Sequence, residues 1–233
     1  MNHLYGWGPL ALALALNSSS PLLAQSILPK GGSVAAGAAT IGTPTNGSLT
    51  ITQSSPNAVI NWNSFSVGQP NTVAFAQPGS TSAILNRVTG NTPSTIAGSL
   101  RANGQVYLVN PNGVAITSSG TVDVGGGFVA STLGISNDDF MAGKRTFTGT
   151  GSSAAISNAG KINVGSRGFV GLLGGTVSNE GKINVPLGKV GLGSGESVTL
   201  DFSGDGFMQV AVPTSSTTGG RKALVRVIGV NFF

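Results

Sequence analysis

The chain has 233 residues, 37 of them Gly and none of them Cys, with 8% charged residues and a formal charge of +5. Zero Cys excludes disulfides and thiolate chemistry, and Lys and Arg scattered without a basic run or interleaved aromatics argue against nucleic acid as a partner. The 39% hydrophobic share is too high for a disordered chain, while the charged share falls far below the roughly 25% of an average globular domain.

Residues 1–24 read as an export signal. Leu10 to Leu16 is an unbroken Leu/Ala run, Asn17 to Pro21 breaks it, and "LLAQS" offers cleavage after Ala24. The run is too short to span a bilayer as a helix. His3 is the only basic side chain ahead of it, which leaves the true translation start open.

From Gly31 to Asn86 there is no charged residue. Such a surface is wetted by hydroxyls and amides, a habit of extended β proteins outside the cytoplasm. The stretch 25–68 is the less periodic part and reads as an N-terminal strand or cap region, with Trp62 and Phe65 sealing it. Residues 69–233 read as a parallel β-helix, so that 25–233 forms one structural domain.

The β-helix reading rests on a repeat. "ISNAGKINVG" starts at Ile156, and "VSNEGKINVP" starts 21 residues later at Val177. "ITSSGTVDVG" starts at Ile116, 40 residues before the first, which reads as about two periods. Periods near 20 with a strand in each repeat indicate a sheet solenoid. The triplets Val122-Asp123-Val124, Ile162-Asn163-Val164 and Ile183-Asn184-Val185 alternate with period two, apolar side chains inward. Gly120, Gly160 and Gly181 precede them, where a corner with positive φ would favour Gly. Of the three polar residues, Asn163 and Asn184 are expected in neighbouring coils. The fold expected is all-β, a right-handed parallel β-helix of ~20-residue coils with an N-terminal β cap. About ten such coils would make a rod roughly 50 Å long.

Few groups carry chemistry. His3 leaves with the signal, so Ser/His/Asp catalysis is dismissed, and the Gly-rich runs lack the Lys-Ser/Thr of a phosphate loop. Asp138-Asp139 suits a loop or helix cap better than glycosidic chemistry, and no Asp-rich loop offers a Ca²⁺ site. No cofactor, metal or catalytic residue is expected. "NPNG", Asn110 to Gly113, reads by its residues as a type I turn, with Pro111 preset at the second position. Asn61 and Trp62 read as a strand end with a core aromatic. Arg87 reads as a solvated cation or, alternatively, as a clasp on carbonyls beside the NPNG coil.

The ordered run "AVINWNSFSVGQPNTVAFAQP", "ILNRVTGNTPSTIAGSLRANGQVYLVNPNGVAI" and "GGGFVAST" resembles the N-terminal secretion domain of filamentous-haemagglutinin-type adhesins, most closely the high-molecular-weight adhesin branch. The resemblance runs from about Ile27 to about Leu200. It implies two-partner secretion in a Gram-negative bacterium: export through the periplasm, recognition by an outer-membrane β-barrel partner with periplasmic recognition domains, and folding outside the cell as a secreted or surface-associated monomer. A host or cell-surface receptor or glycan is the target such exoproteins imply. Asn110, Pro111, Asn112 and Gly113 match the family's secretion motif. Asn61 and Trp62 match its "INW" element, and Asn86 and Arg87 its "NRV" element, as supporting positions. The second Asn-Pro-Asn motif of the filamentous branch is missing. The chain stops at Phe233 without a long rod, which leaves a fragment, a shortened gene product or a stand-alone module open.

Two other readings compete. A β-helical polysaccharide-binding or polysaccharide-cleaving exoprotein shares the fold, but a cleaving enzyme clusters carboxylates on one face. An outer-membrane barrel is hinted at by the terminal "ALVRVIGVNFF", but a 21-residue repeat has no place in one.

Overall fold

The computed structural model describes residues 27–149, 154–195, 197–201, 207–211, 224–227 and 230–231. The expected signal, 1–24, lies outside the described residues, as do Ala223, Ile228, Gly229, Phe232 and Phe233 of the terminal "ALVRVIGVNFF".

In chain order, strands β1 (Ser33–Ala36) and β2 (Ala39–Ile41) come first. The first coil holds β3 (Ser48–Gln53) and β4 (Asn57–Trp62). The second holds β5 (Thr72–Ala76), β6 (Ala83–Val88) and β7 (Ser94–Ile96). The third holds β8 (Ser99–Ala102), β9 (Gln105–Val109) and β10 (Val114–Ile116). The fourth opens with β11 (Thr121–Val124) and β12 (Gly127–Ser131), leaves the solenoid for α1 (Asn137–Met141) and β13 (Thr146–Thr148), and closes on β14 (Ala155–Asn158). The fifth is β15 (Lys161–Val164), β16 (Phe169–Gly174) and β17 (Thr176–Asn179). The sixth is β18 (Lys182–Asn184) and β19 (Lys189–Ser194), a second excursion with β20 (Ser197–Leu200) and β21 (Met208–Ala211), then β22 (Leu224–Val227). Strand β23 (Val230–Asn231) follows.

These strands stack into three faces. One sheet runs β2-β3-β5-β8-β11-β15-β18-β23, a second β1-β4-β6-β9-β12-β16-β19, and a third β7-β10-β14-β17-β22. Neighbouring coils pair in parallel, whereas β1 and β2 pair antiparallel to β4 and β3 at the N-terminal end. The all-β parallel solenoid expected from the repeat is the fold. Its length is not: the chain makes about six turns, roughly 29 Å at ~4.8 Å per coil, against an expected ten coils and 50 Å. The 40-residue spacing accounts for one of the missing coils. Thr121 pairs directly with Lys161, so the two copies occupy adjacent coils and the surplus residues form the α1–β13 excursion. Asp123, Asn163 and Asn184 therefore all lie in register on successive coils, and not Asn163 and Asn184 alone.

The interior is packed by the inward residues of the three sheets, among them Ile60, Ile84, Leu108, Phe128, Ile162 and Ile183. A second apolar cluster lies outside the solenoid. Strands β13, β20 and β21 form a small antiparallel sheet. With α1 they cover the outer face of the second sheet, burying Val59, Leu85, Tyr107, Val129 and Leu173 against Phe140, Phe147 and Val198. That sheet is thus apolar on both sides, which is why its strands read as continuous apolar runs.

At the N-terminal end Trp62 meets Phe65 edge to face at 5.6 Å, both buried. The glycines before the triplets have a different cause from the one expected. Gly120, Gly160 and Gly181 do not have positive φ. A Cβ there would instead collide with the carbonyl of Ile96, Gly120 or Gly160 in the coil below, so the coils stack too closely for a side chain.

Candidate functional site

The NPNG corner joins β9 to β10. Its turn closes with Gly113 N–H donating to the Asn110 carbonyl at 3.0 Å. Gly113 has φ +112°, a region that favours Gly. The Asn110 side chain is fully buried. Its Oδ1 accepts from the Asn112 amide at 2.9 Å and from Asn112 Nδ2 at 3.1 Å, so the two Asn bond within the turn. They also reach the coil below. Asn110 Nδ2 donates to the Thr92 carbonyl and to Ser94 Oγ, both at 2.9 Å, and Asn112 Nδ2 donates to the Gly90 carbonyl at 2.9 Å. Pro111 and Asn112 stay exposed, whereas Asn110 and Gly113 are buried.

The other four carried-over positions lie side by side on β4 and β6, where Ile60 pairs with Asn86, Asn61 with Arg87 and Trp62 with Val88. On the inner side, Trp62 Nε1 donates to Asn86 Oδ1 at 3.0 Å, and Asn86 Nδ2 reaches the Tyr107 carbonyl at 3.4 Å. This chain of bonds satisfies a polar group inside an apolar core. On the outer side, Arg87 donates to Asn61 Oδ1 at 3.3 Å, Asn137 Oδ1 at 2.7 Å and the Ile135 carbonyl at 2.6 Å. Arg87 is thus a clasp and not a solvated cation. It pairs with Val109, the residue before NPNG, and holds down the start of α1. Desolvation by burial lowers its pKa from the usual guanidinium range.

The two quartets are therefore neighbours on consecutive coils, joined through β9. Asp138 and Asp139 sit in the first turn of α1, whose N-cap Ser136 accepts from the Asp139 amide. Asn163 Nδ2 donates to Asp123 Oδ1 at 2.7 Å, one rung of a polar ladder.

Several constraining residues carry no local signal. Arg145 is buried, donates from Nε to the Tyr107 hydroxyl at 3.1 Å and from Nη1 to the carbonyls of Phe140 and Lys144, and packs on the Tyr107 and Phe140 rings. Burial pushes the Tyr107 phenol up, against the opposing pull of Arg145. Gln77 donates to Gln53 Oε1 at 2.9 Å across two coils, and Asn158 donates likewise to Asn179 at 2.6 Å. The spacings of 24 and 21 residues between those amides, equal to the coil period, are the signal that could have found them.

Among the described residues no group of three His, Cys, Asp or Glu could hold a metal ion. The described residues form a capped parallel solenoid whose polar residues brace corners. Residues 25–230 match the TPS secretion domain, and the chain belongs to that two-partner-secretion family, which is a family of secretion domains and not of enzymes. A heme/hemopexin-binding protein of Haemophilus influenzae is 40% identical over 191 residues, covering 79% of this chain and 21% of the relative. The chain thus spans about one fifth of that relative's length. The crystal structure of the HMW1 secretion domain from Haemophilus influenzae is 36% identical with a TM-score of 0.73, covering 87% of this chain and 53% of that one. The filamentous hemagglutinin secretion domain shares the fold at a TM-score of 0.57 and 14% identity, covering 86% and 73%.

Proposed function

We propose that this chain is the address and folding nucleus of an adhesin- or haemagglutinin-like exoprotein. An outer-membrane β-barrel partner recognises it in the periplasm and passes it out in an extended form, and the solenoid then folds outside the cell. The observation that carries this reading is the NPNG corner: a buried Asn110 ties the third coil to the second through Thr92 and Ser94. A corner that locks two coils is what a β-helix needs to nucleate, because the loop-closure cost of each coil precedes its contacts. Asn61, Trp62, Asn86 and Arg87 serve the same nucleus. Pro111 and Asn112 are the part of the motif left on the surface for a partner to touch.

The test is secretion with and without the partner transporter, for wild type and Asn110→Ala/Asn112→Ala, alongside circular dichroism of refolded protein. Wild type is expected in the medium only with the partner, and the double variant is expected to refold poorly and stay behind. A double variant that regains the wild-type β spectrum yet is retained would assign the motif to direct recognition. Wild type that never leaves the periplasm with the partner present would overturn the reading.

A further inference from the structure

Asn-Gly occurs at Asn46-Gly47, Asn103-Gly104 and Asn112-Gly113. The pair is chemically distinctive, because Gly has no side chain to shield its backbone nitrogen from the amide carbon of the Asn before it. All three Asn are exposed, so exposure alone does not separate them. Their hydrogen bonds do.

Asn103 and Asn112 are clamped. Asn103 Oδ1 accepts from the Gln77 amide and its Nδ2 donates to the Gln77 carbonyl, both at 2.7 Å, while the Gly104 N–H donates to Gln77 Oε1 at 3.0 Å. In the NPNG corner, Asn112 Nδ2 donates to the Gly90 carbonyl and to Asn110 Oδ1, and the Gly113 N–H donates to the Asn110 carbonyl. Gly104 and Gly113 are also buried, which keeps base from their nitrogens.

Asn46 is held by no such clamp. With Gly47 it forms the tip of the connection from β2 to β3, closed by mutual backbone bonds between Thr45 and Ser48 at 2.9 Å. Asn46 has φ +49° and Gly47 φ +75°, the two left-handed positions of a tight turn that favours Asn-Gly. Among the described residues neither the Asn46 side chain nor the Gly47 N–H has a hydrogen-bond partner. Gly47 is partly exposed, so water reaches this turn.

We infer that Asn46 is a site of spontaneous deamidation in the folded chain, and that the bonds of the NPNG corner keep Asn112 an amide. Base takes the Gly47 amide proton, and the nitrogen attacks Asn46 Cγ. The new N–Cγ bond closes a five-membered imide, the Cγ–Nδ2 bond breaks, and ammonia leaves with a proton regained from water. Water then adds to one of the two imide carbonyls. Opening on the side-chain side restores the normal main chain with an aspartate. Opening on the main-chain side gives isoaspartate, with the chain routed through Cγ. Either product places a carboxylate in the stretch Gly31 to Asn86, which carries no charge. Isoaspartate also lengthens the main chain inside a turn closed by two bonds, which loosens the link between β2 and β3. None of these steps depends on the export role.

Peptide mapping by mass spectrometry tests this on the folded chain held in mildly alkaline buffer, beside a sample held in the same buffer with guanidinium chloride. In the folded sample Asn46 is expected to convert about tenfold or more faster than Asn103 or Asn112, because each of those must first give up two or more hydrogen bonds. In denaturant the three rates are expected to converge. Asn46→Asp keeps the turn, since Asp also tolerates left-handed backbone, and is expected to remove most of the early ammonia release from the folded chain. Asn103 or Asn112 converting as fast as Asn46 in the folded chain would overturn the inference. So would Asn46 remaining an amide there while it converts in denaturant, the same order of rates persisting in denaturant, or ammonia release unchanged by Asn46→Asp.

Discussion

Asn110→Ala puts the folding role of the NPNG corner to a quantitative test. The substitution removes four side-chain hydrogen bonds, two from Nδ2 and two to Oδ1. They are not equal. Ser94 is fully buried, so its hydroxyl loses a partner that water does not replace. Thr92 and Asn112 are exposed and rehydrate. An orphaned buried hydroxyl costs about 1–3 kcal/mol and the rehydrated bonds add about 1 kcal/mol together, for a loss near 3 kcal/mol. For a domain of this size, about 3 kcal/mol lowers Tm by roughly 6–12 °C. Asn110→Asp is expected to lose as much, because it keeps the acceptor for Asn112 but turns a carboxylate oxygen toward the Thr92 carbonyl. Thermal melts of refolded protein, followed by far-ultraviolet circular dichroism, measure both. A drop in Tm below about 2 °C for Asn110→Ala would mean less than about 1 kcal/mol is stored in the corner, and the argument that NPNG acts through folding would fail.

Three further outcomes follow from the same geometry. Arg87→Met frees the Ile135 carbonyl and Asn137; hydrogen exchange at the Phe140 and Ala142 amides should quicken about tenfold, for about 1.4 kcal/mol lost locally, and unchanged exchange would show that the clasp does not hold α1. Gly160→Ala drives a Cβ into the carbonyls of Thr117 and Gly120, so Tm should fall by several degrees, about 1–3 kcal/mol of overpacking; a Tm equal to wild type would refute the close-stacking account. Tyr107 is held neutral by burial, with its pKa raised, whereas in the unfolded chain it ionises near pH ~10. Its contribution is therefore full below that pH and is lost as pH rises. Urea melts across this range should show wild type losing stability faster than Tyr107→Phe, and parallel losses would contradict it.

The parts of the fold legible in the sequence are those where a local pattern and a coil period coincide. Ile162 and Ile183 stand 21 residues apart in matching triplets, and they pair in the structure. The 40-residue interval to Val122 was ambiguous for a physical reason: the α1–β13 excursion is itself about one coil long, so one coil plus an excursion has the same length as two coils. What separates the two cases is the missing Gly-polar-apolar-polar-apolar unit between Thr132 and Ser153. The runs Val106-Tyr107-Leu108-Val109 and Phe169 to Gly174 carried a second clue. Strands with one wet face alternate, and these do not, because the excursions dry the outer face. The candidate site divides in the same way. Asn110 and Asn112 bond within their own turn, so the motif was readable, but their grip on Gly90, Thr92 and Ser94 depends on which residues the stacking brings beneath them. Arg87 and Arg145 find partners 48 and 38 residues away, across an excursion the period does not encode. A clasp was one of two readings of Arg87, whereas nothing in the charge-poor sequence set the buried Arg145 apart from a surface cation. The excursions thus carry both departures from the simple solenoid, the clasp at Arg87 and the buried Arg145 held by Tyr107 and Phe140, and it is there that this chain can differ from a plain repeat.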